Sequence, residues 1–106
     1  METAEIFRTL GDPTRLAVFE CVALEELSVS ELTQRFEVSQ PAISQHLSVL
    51  RNCGLVEQRR VGKNVFYKAH PEGMRPMINW LSHYRTFWQT KLPKLEALLK
   101  EMKNDR

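Results

Sequence analysis

Two closely spaced helix starts in the middle of the chain constrain its fold more than any other feature. Ser28-Val29-Ser30-Glu31 is a capping box, in which the Ser28 hydroxyl and the Glu31 carboxylate can each satisfy the other's free backbone amide. Ser39 is a second N-cap, and Pro41 is tolerated behind it because it falls in the first helical turn. The first start opens a short helix through Leu32 to Phe36. The second opens a helix to Asn52-Cys53, where Gly54 supplies a left-handed stop. Two short helices joined by a short turn form a helix-turn-helix, over about residues 29–53.

The flanking segments follow the same logic. A helix is expected from about Glu2 to Leu10, with Ile6, Phe7 and Leu10 on one face, and Gly11 ends it. Asp12 can cap the next helix, and Pro13 sits at its first position, where a missing N–H costs nothing. Leu16, Phe19 and Ala23 continue it at helical spacing. After Gly54 the period changes. Val56–Val61 and Asn64–Ala69 read as strands on either side of Gly62-Lys63, a pair suited to a type II′ hairpin turn, so a wing is expected over about 55–69. From Met74 to Met102 apolar residues recur every three or four positions, which predicts one long helix over about 73–102. That helix would reach roughly 40 Å, more than a domain this size needs for its own core. Pro93 lies inside it and is expected to kink or break it near Leu92. The fold class is therefore mainly α with a small β-hairpin, in one domain spanning 1–106.

Charge is unevenly placed. The net charge is only +2, yet residues 1–33 carry −5, residues 34–68 carry +4 and residues 69–106 carry +3. A basic middle beside an acidic start points to a localised anionic partner. No apolar run is long enough to span a membrane, and the charged first residues, without an apolar h-region, argue against a signal peptide, so none is expected. Two cysteines, Cys21 and Cys53, are too few for a disulfide scaffold and suit a reducing compartment, so the protein is expected to be cytoplasmic. No nucleophile–base set or glycine-rich phosphate loop is present, so an enzyme is not expected, and no cofactor or metal is expected.

Helical projection of the segment from Gln40 gathers Ile43, His46, Leu47, Leu50 and Cys53 on one side. Gln40, Ser44, Gln45 and Ser48 lie on the other, with Arg51 near the end. That face is rich in amides and small hydroxyls and nearly free of carboxylates. Gln pairs bidentately with adenine, Ser can reach several base edges, and small side chains let a helix sink into the major groove. Ser39 and Arg51 are placed for phosphate, as are Arg59, Arg60 and Lys63 around the hairpin tip. His46 and Cys53 fall on the apolar arc and read as packed residues.

Several stretches resemble the ArsR/SmtB-type winged-helix repressors: Leu10-Gly11-Asp12-Pro13-Thr14-Arg15-Leu16, then Ser39 to Leu50, then Gly54-Leu55-Val56, then Arg59 to Lys63. The resemblance covers residues 4 to about 70. It implies a cytoplasmic homodimer that binds a palindromic double-stranded DNA operator and releases it when an inducer binds. It further implies dimerisation through the N- and C-terminal helices, with Trp80, Tyr84, Phe87, Trp88 and Leu92 packing with Ile6, Phe7 and Leu10 against a second copy. Many members hold a metal through a Glu-Leu-Cys-Val-Cys-type motif. The matching stretch here is Glu26-Leu27-Ser28-Val29-Ser30, with serine, a poor ligand for a soft ion, at both thiolate positions. His83 has no histidine or carboxylate three or four residues away, which leaves a second metal site of the family without a partner. Glu37 stands where glycine is common. The expected function is sequence-specific transcriptional repression. The alternatives are a winged-helix module that docks a protein, and a redox-responsive member of the same family, although no cation near either cysteine is visible in the sequence to activate it.

Overall fold

In the computed structural model residues 2–104 are described, the side chains of Trp88 and Asn104 excepted. The elements are α1 (Thr3–Thr9), α2 (Pro13–Leu24), β1 (Leu27–Ser28), α3 (Val29–Arg35), α4 (Gln40–Asn52), β2 (Val56–Val61), β3 (Asn64–Ala69), a 3-10 turn (Pro71–Met74), α5 (Arg75–His83) and α6 (Arg85–Asn104). The fold is a winged helix-turn-helix.

Local chemistry sets most of the boundaries. The Asp12 carboxylate accepts from the Arg15 amide at 2.9 Å and starts α2. At α3 the Glu31 amide donates to Ser28 Oγ at 3.1 Å while the Ser28 amide donates to Glu31 Oε1 at 3.0 Å, so the capping box is complete. Ser39 Oγ accepts from the Ala42 amide at 3.2 Å at the start of α4. The other end of α4 is a Schellman motif: the Gly54 amide donates to the Arg51 carbonyl and the Leu55 amide to the Leu50 carbonyl, both at 2.9 Å. Gly54 makes this possible at φ 78°. Gly62 has φ 63° and no non-glycine residue described has positive φ, so the hairpin turn is of the II′ kind.

The sheet has three antiparallel strands in the order β1-β3-β2. Its third strand, β1, has only two residues and pairs Leu27 with Tyr67 and Ser28 with Phe66. The hairpin pattern does not reveal it. The core lies between α2, α3, α4 and the inner sheet face, and Leu32, Ile43, Leu47, Leu50 and Leu55 are fully buried there.

Two expectations need correction. The helix expected over about 73–102 is divided into α5 and α6, and the break falls at Tyr84, with φ −102° and ψ 22°. Pro93 lies within α6 and ends nothing. A proline inside a helix costs the amide bond it cannot make, whereas Tyr84 has left helical dihedrals altogether. Secondly, Ile6 is 0% exposed inside the chain's own core, so it offers no surface to a second copy. Every described side chain of α6 up to Lys103 is exposed, and the molecule measures 56 × 34 × 20 Å.

Candidate nucleic-acid interface

Helix α4 turns Ile43, Leu47 and Leu50 into the core. The 3.6-residue period then forces Gln40, Ser44, Gln45, Ser48 and Arg51 outward, and all five are exposed. Ser39 is exposed as well. Its oxygen serves as the helix cap, which leaves the hydroxyl proton to donate elsewhere. His46 is half-buried on the inner side, with Nδ1 shielded and without a partner among the described residues. It lies near enough to Asp12 to help hold that carboxyl below its usual value, although the main cause is the Arg15 amide bond.

The end of α4 is tied to the wing through Gln58. With its amide turned to meet both neighbours, Gln58 Oε1 accepts from the Arg51 guanidinium at 3.1 and 3.3 Å, and its amide donates to the Tyr67 hydroxyl at 3.0 Å. Gln58 and Tyr67 are directly paired across β2 and β3. Sequence reading missed both residues. The only signal was Gln58's position, two residues after buried Val56 and so on the inner face of the strand.

Strand alternation also separates the two wing arginines. Arg60 pairs with Val65 and shares the face of Gln58 and Tyr67, the face turned toward α4. Arg59 pairs with Phe66 on the opposite face. There Arg59 Nε donates to Glu26 Oε2 at 3.2 Å and Nη2 donates to Glu26 Oε1. That pair lowers the Glu26 pKa below its ordinary value and raises that of Arg59. On the same outer face Glu57 Oε1 lies 3.4 Å from Lys68 Nζ and Glu57 Oε2 lies 3.3 Å from His70 Nδ1. Among the described residues, Arg60 and Lys63 have no carboxylate partner.

The residues expected between protomers divide into groups. Phe7, Trp80, Tyr84, Phe87 and Leu92 are 39–49% exposed on α1, α5, α6 and the break between the last two. Phe7 and Trp80 meet edge to face, with ring centroids 5.5 Å apart. Leu10 packs in part against the core. The Trp88 side chain lies outside the described residues. Cys53 is buried, and its sulfur accepts from the Thr9 hydroxyl at 3.5 Å. Cys21 is half-buried, and the Arg35 guanidinium lies beside it, a cation the sequence did not reveal. Among the described residues no group of three or more His, Cys, Asp or Glu is arranged to hold a metal ion, and no helix is long and apolar enough to cross a membrane.

Residues 12–58 match the family described as bacterial regulatory protein, arsR family. An arsenic resistance transcriptional regulator of Pseudomonas putida is 47% identical over 68 residues, covering 63% of this chain and 53% of the relative. A biofilm growth-associated repressor of Xylella fastidiosa is 39% identical over 80 residues, covering 76% of this chain and 70% of the relative. The chain thus spans about half the length of several curated relatives that it matches. Among solved structures, an ArsR-like transcriptional regulator from a Rhodococcus species superposes with a TM-score of 0.70 at 30% identity, over 91% of both chains.

Proposed function

Because this chain belongs to the arsR family of bacterial regulatory proteins, which are transcription regulators and not enzymes, we propose that it is a cytoplasmic, homodimeric, sequence-specific repressor of transcription. One observation carries the reading. The exposed face of α4 holds Gln40, Ser44, Gln45 and Ser48 and continues, through Arg51 and Gln58, into the side of the hairpin that carries Arg60. The result is a polar, carboxylate-poor ridge flanked by cations, which matches a major groove flanked by phosphates.

In this reading α4 enters the major groove. Gln40, Ser44, Gln45 and Ser48 read base edges. Ser39, Arg51, Arg60 and Lys63 contact phosphate, and Arg59 enters with its charge already matched by Glu26. The exposed apolar surface of α1, α5 and α6 meets a second copy, which removes it from water. The two recognition helices then lie about 34–36 Å apart and read a pseudo-palindromic operator.

The test is fluorescence anisotropy with the duplex upstream of the protein's own coding sequence, against a shuffled duplex, across salt. Tight, salt-dependent binding that prefers the native duplex supports the reading. Equal, weak binding to both, with no preferred sequence recovered by unbiased duplex selection, rejects it in favour of a protein-docking module.

A further inference from the structure

Glu25 and Glu26 stand side by side where the chain leaves α2 for β1, and each holds an arginine from another element. Glu25 accepts from Arg35, in the last turn of α3. Glu26 accepts from Arg59 of β2 through both carboxylate oxygens. The strand order explains how the second pair forms. Leu27 is buried and pairs with Tyr67 on the inner face, so Glu26, one residue earlier, projects to the outer face and reaches Arg59 across β3.

An exposed ion pair of this kind adds little to stability; the Arg59 side chain is 60% exposed and that of Glu26 25%. Its effect on the charge of the wing is larger. A guanidinium fork matches a carboxylate and a phosphate in the same bidentate way. A carboxylate held beside Arg59 by the fold therefore competes with any phosphate at an effective concentration that free ions do not reach. Lys68 is neutralised on the same face by Glu57. The hairpin carries four cations in β2, its turn and β3, and among the described residues Arg60 and Lys63 alone of these face solvent without a carboxylate partner.

We propose that Glu26 sets the DNA affinity of the wing: its carboxylate occupies Arg59 in place of a DNA phosphate and limits the number of cations the hairpin brings to the duplex. This rests on the DNA-binding reading above. Glu26 becomes an affinity-determining residue that never touches DNA. Arg59, which lies within the basic stretch of the sequence, contributes little to binding while Glu26 is charged.

The test uses the full chain and three variants, Glu26→Gln, Arg59→Ala and the double variant, each titrated with the upstream duplex and its shuffled control from low to moderate salt. Far-UV circular dichroism and thermal melting are recorded alongside. Glu26→Gln should bind both duplexes severalfold more tightly at low salt, with a salt slope steeper by about 0.9, the value of one added phosphate contact. Arg59→Ala alone should stay within about twofold of the parent, and the double variant should return to the parental slope. An unchanged slope in Glu26→Gln overturns the proposal. So does a loss of about one unit of slope in Arg59→Ala alone, since Arg59 would then reach phosphate despite Glu26. Weaker binding with a lower melting temperature in Glu26→Gln also overturns it and makes the pair a structural staple. Failure of the parent chain to bind any duplex is a distinct result that rejects the DNA-binding reading and this proposal with it.

Discussion

Gly73 lies directly against the backbone of Gly54: a Cβ added at Gly73 would stand 1.7 Å from the Gly54 carbonyl oxygen and 2.6 Å from its carbonyl carbon. The contact joins the end of α4 to the 3-10 turn that leads into α5. Both partners are backbone, so neither can rotate away as a side chain could. Gly73→Ala is expected to destabilise the fold by about 1–3 kcal/mol, the usual cost of forcing atoms into a filled space. A chemical denaturation midpoint measures it, and an unchanged midpoint would show that the turn yields freely.

Base choice and general affinity are expected to separate by residue. Gln40→Ala should lose about 1–3 kcal/mol of discrimination between the operator and a duplex altered at one position. Arg60→Ala should weaken every duplex alike and reduce the salt slope by about 0.9. Anisotropy with matched duplexes distinguishes the two. Equal losses on operator and random DNA for both variants would remove the assigned roles.

Leu92 and Leu95 are 43% and 50% exposed on α6 and take no part in the chain's own core. The pair of substitutions Leu92→Glu and Leu95→Glu should therefore leave helical content and melting cooperativity intact. Sedimentation equilibrium should move to the monomer mass. Operator affinity should fall by about a hundredfold, because two linked half-site contacts become independent ones. A variant that remains dimeric places the interface elsewhere.

Acid should weaken the fold through its caps. The Arg15 amide lowers the Asp12 pKa below the ordinary 3.8, and the Ser28 amide and hydroxyl lower that of Glu31 below 4.5. A carboxyl whose folded pKa is depressed adds stability above its unfolded pKa, and that stability is lost as pH falls through the folded value. The urea midpoint should therefore be flat near neutrality and drop below about pH 4.5, with a smaller drop in Asp12→Asn/Glu31→Gln. An equal acid drop in that variant would shift the cause to other carboxylates.

Most of the helical frame was legible in the sequence because its determinants are local. Asp12-Pro13, Ser28 with Glu31, Ser39 and Gly54 each act within four residues, and each element begins or ends where that chemistry requires. The polar face of α4 was legible for the same reason, since burial of Ile43, Leu47 and Leu50 decides it. Features that depend on distant partners were not. Strand β1 exists only because Tyr67 and Phe66 lie beside it, and Leu27 and Ser28 are too few to show a period. Arg59 and Arg60 look equivalent until the register puts them on opposite faces. Ile6 shares an apolar stripe with Phe7, but only tertiary packing determines which of them the core takes. The break at Tyr84 has no glycine or proline to mark it, whereas Pro93 suggested a break within a helix that continues past it.

Ser28 belongs to two elements at once. Its backbone pairs with Phe66 as the last residue of β1, and its hydroxyl holds the first turn of α3. The sheet edge and the start of the helix-turn-helix therefore share one residue, a second join besides the one through Gln58. Lifting β3 away from β1 would pull the cap from α3, and unwinding the start of α3 would release the edge of the sheet. Amide hydrogen exchange at Glu31 and in β3 should accordingly rise and fall together, as one cooperative unit.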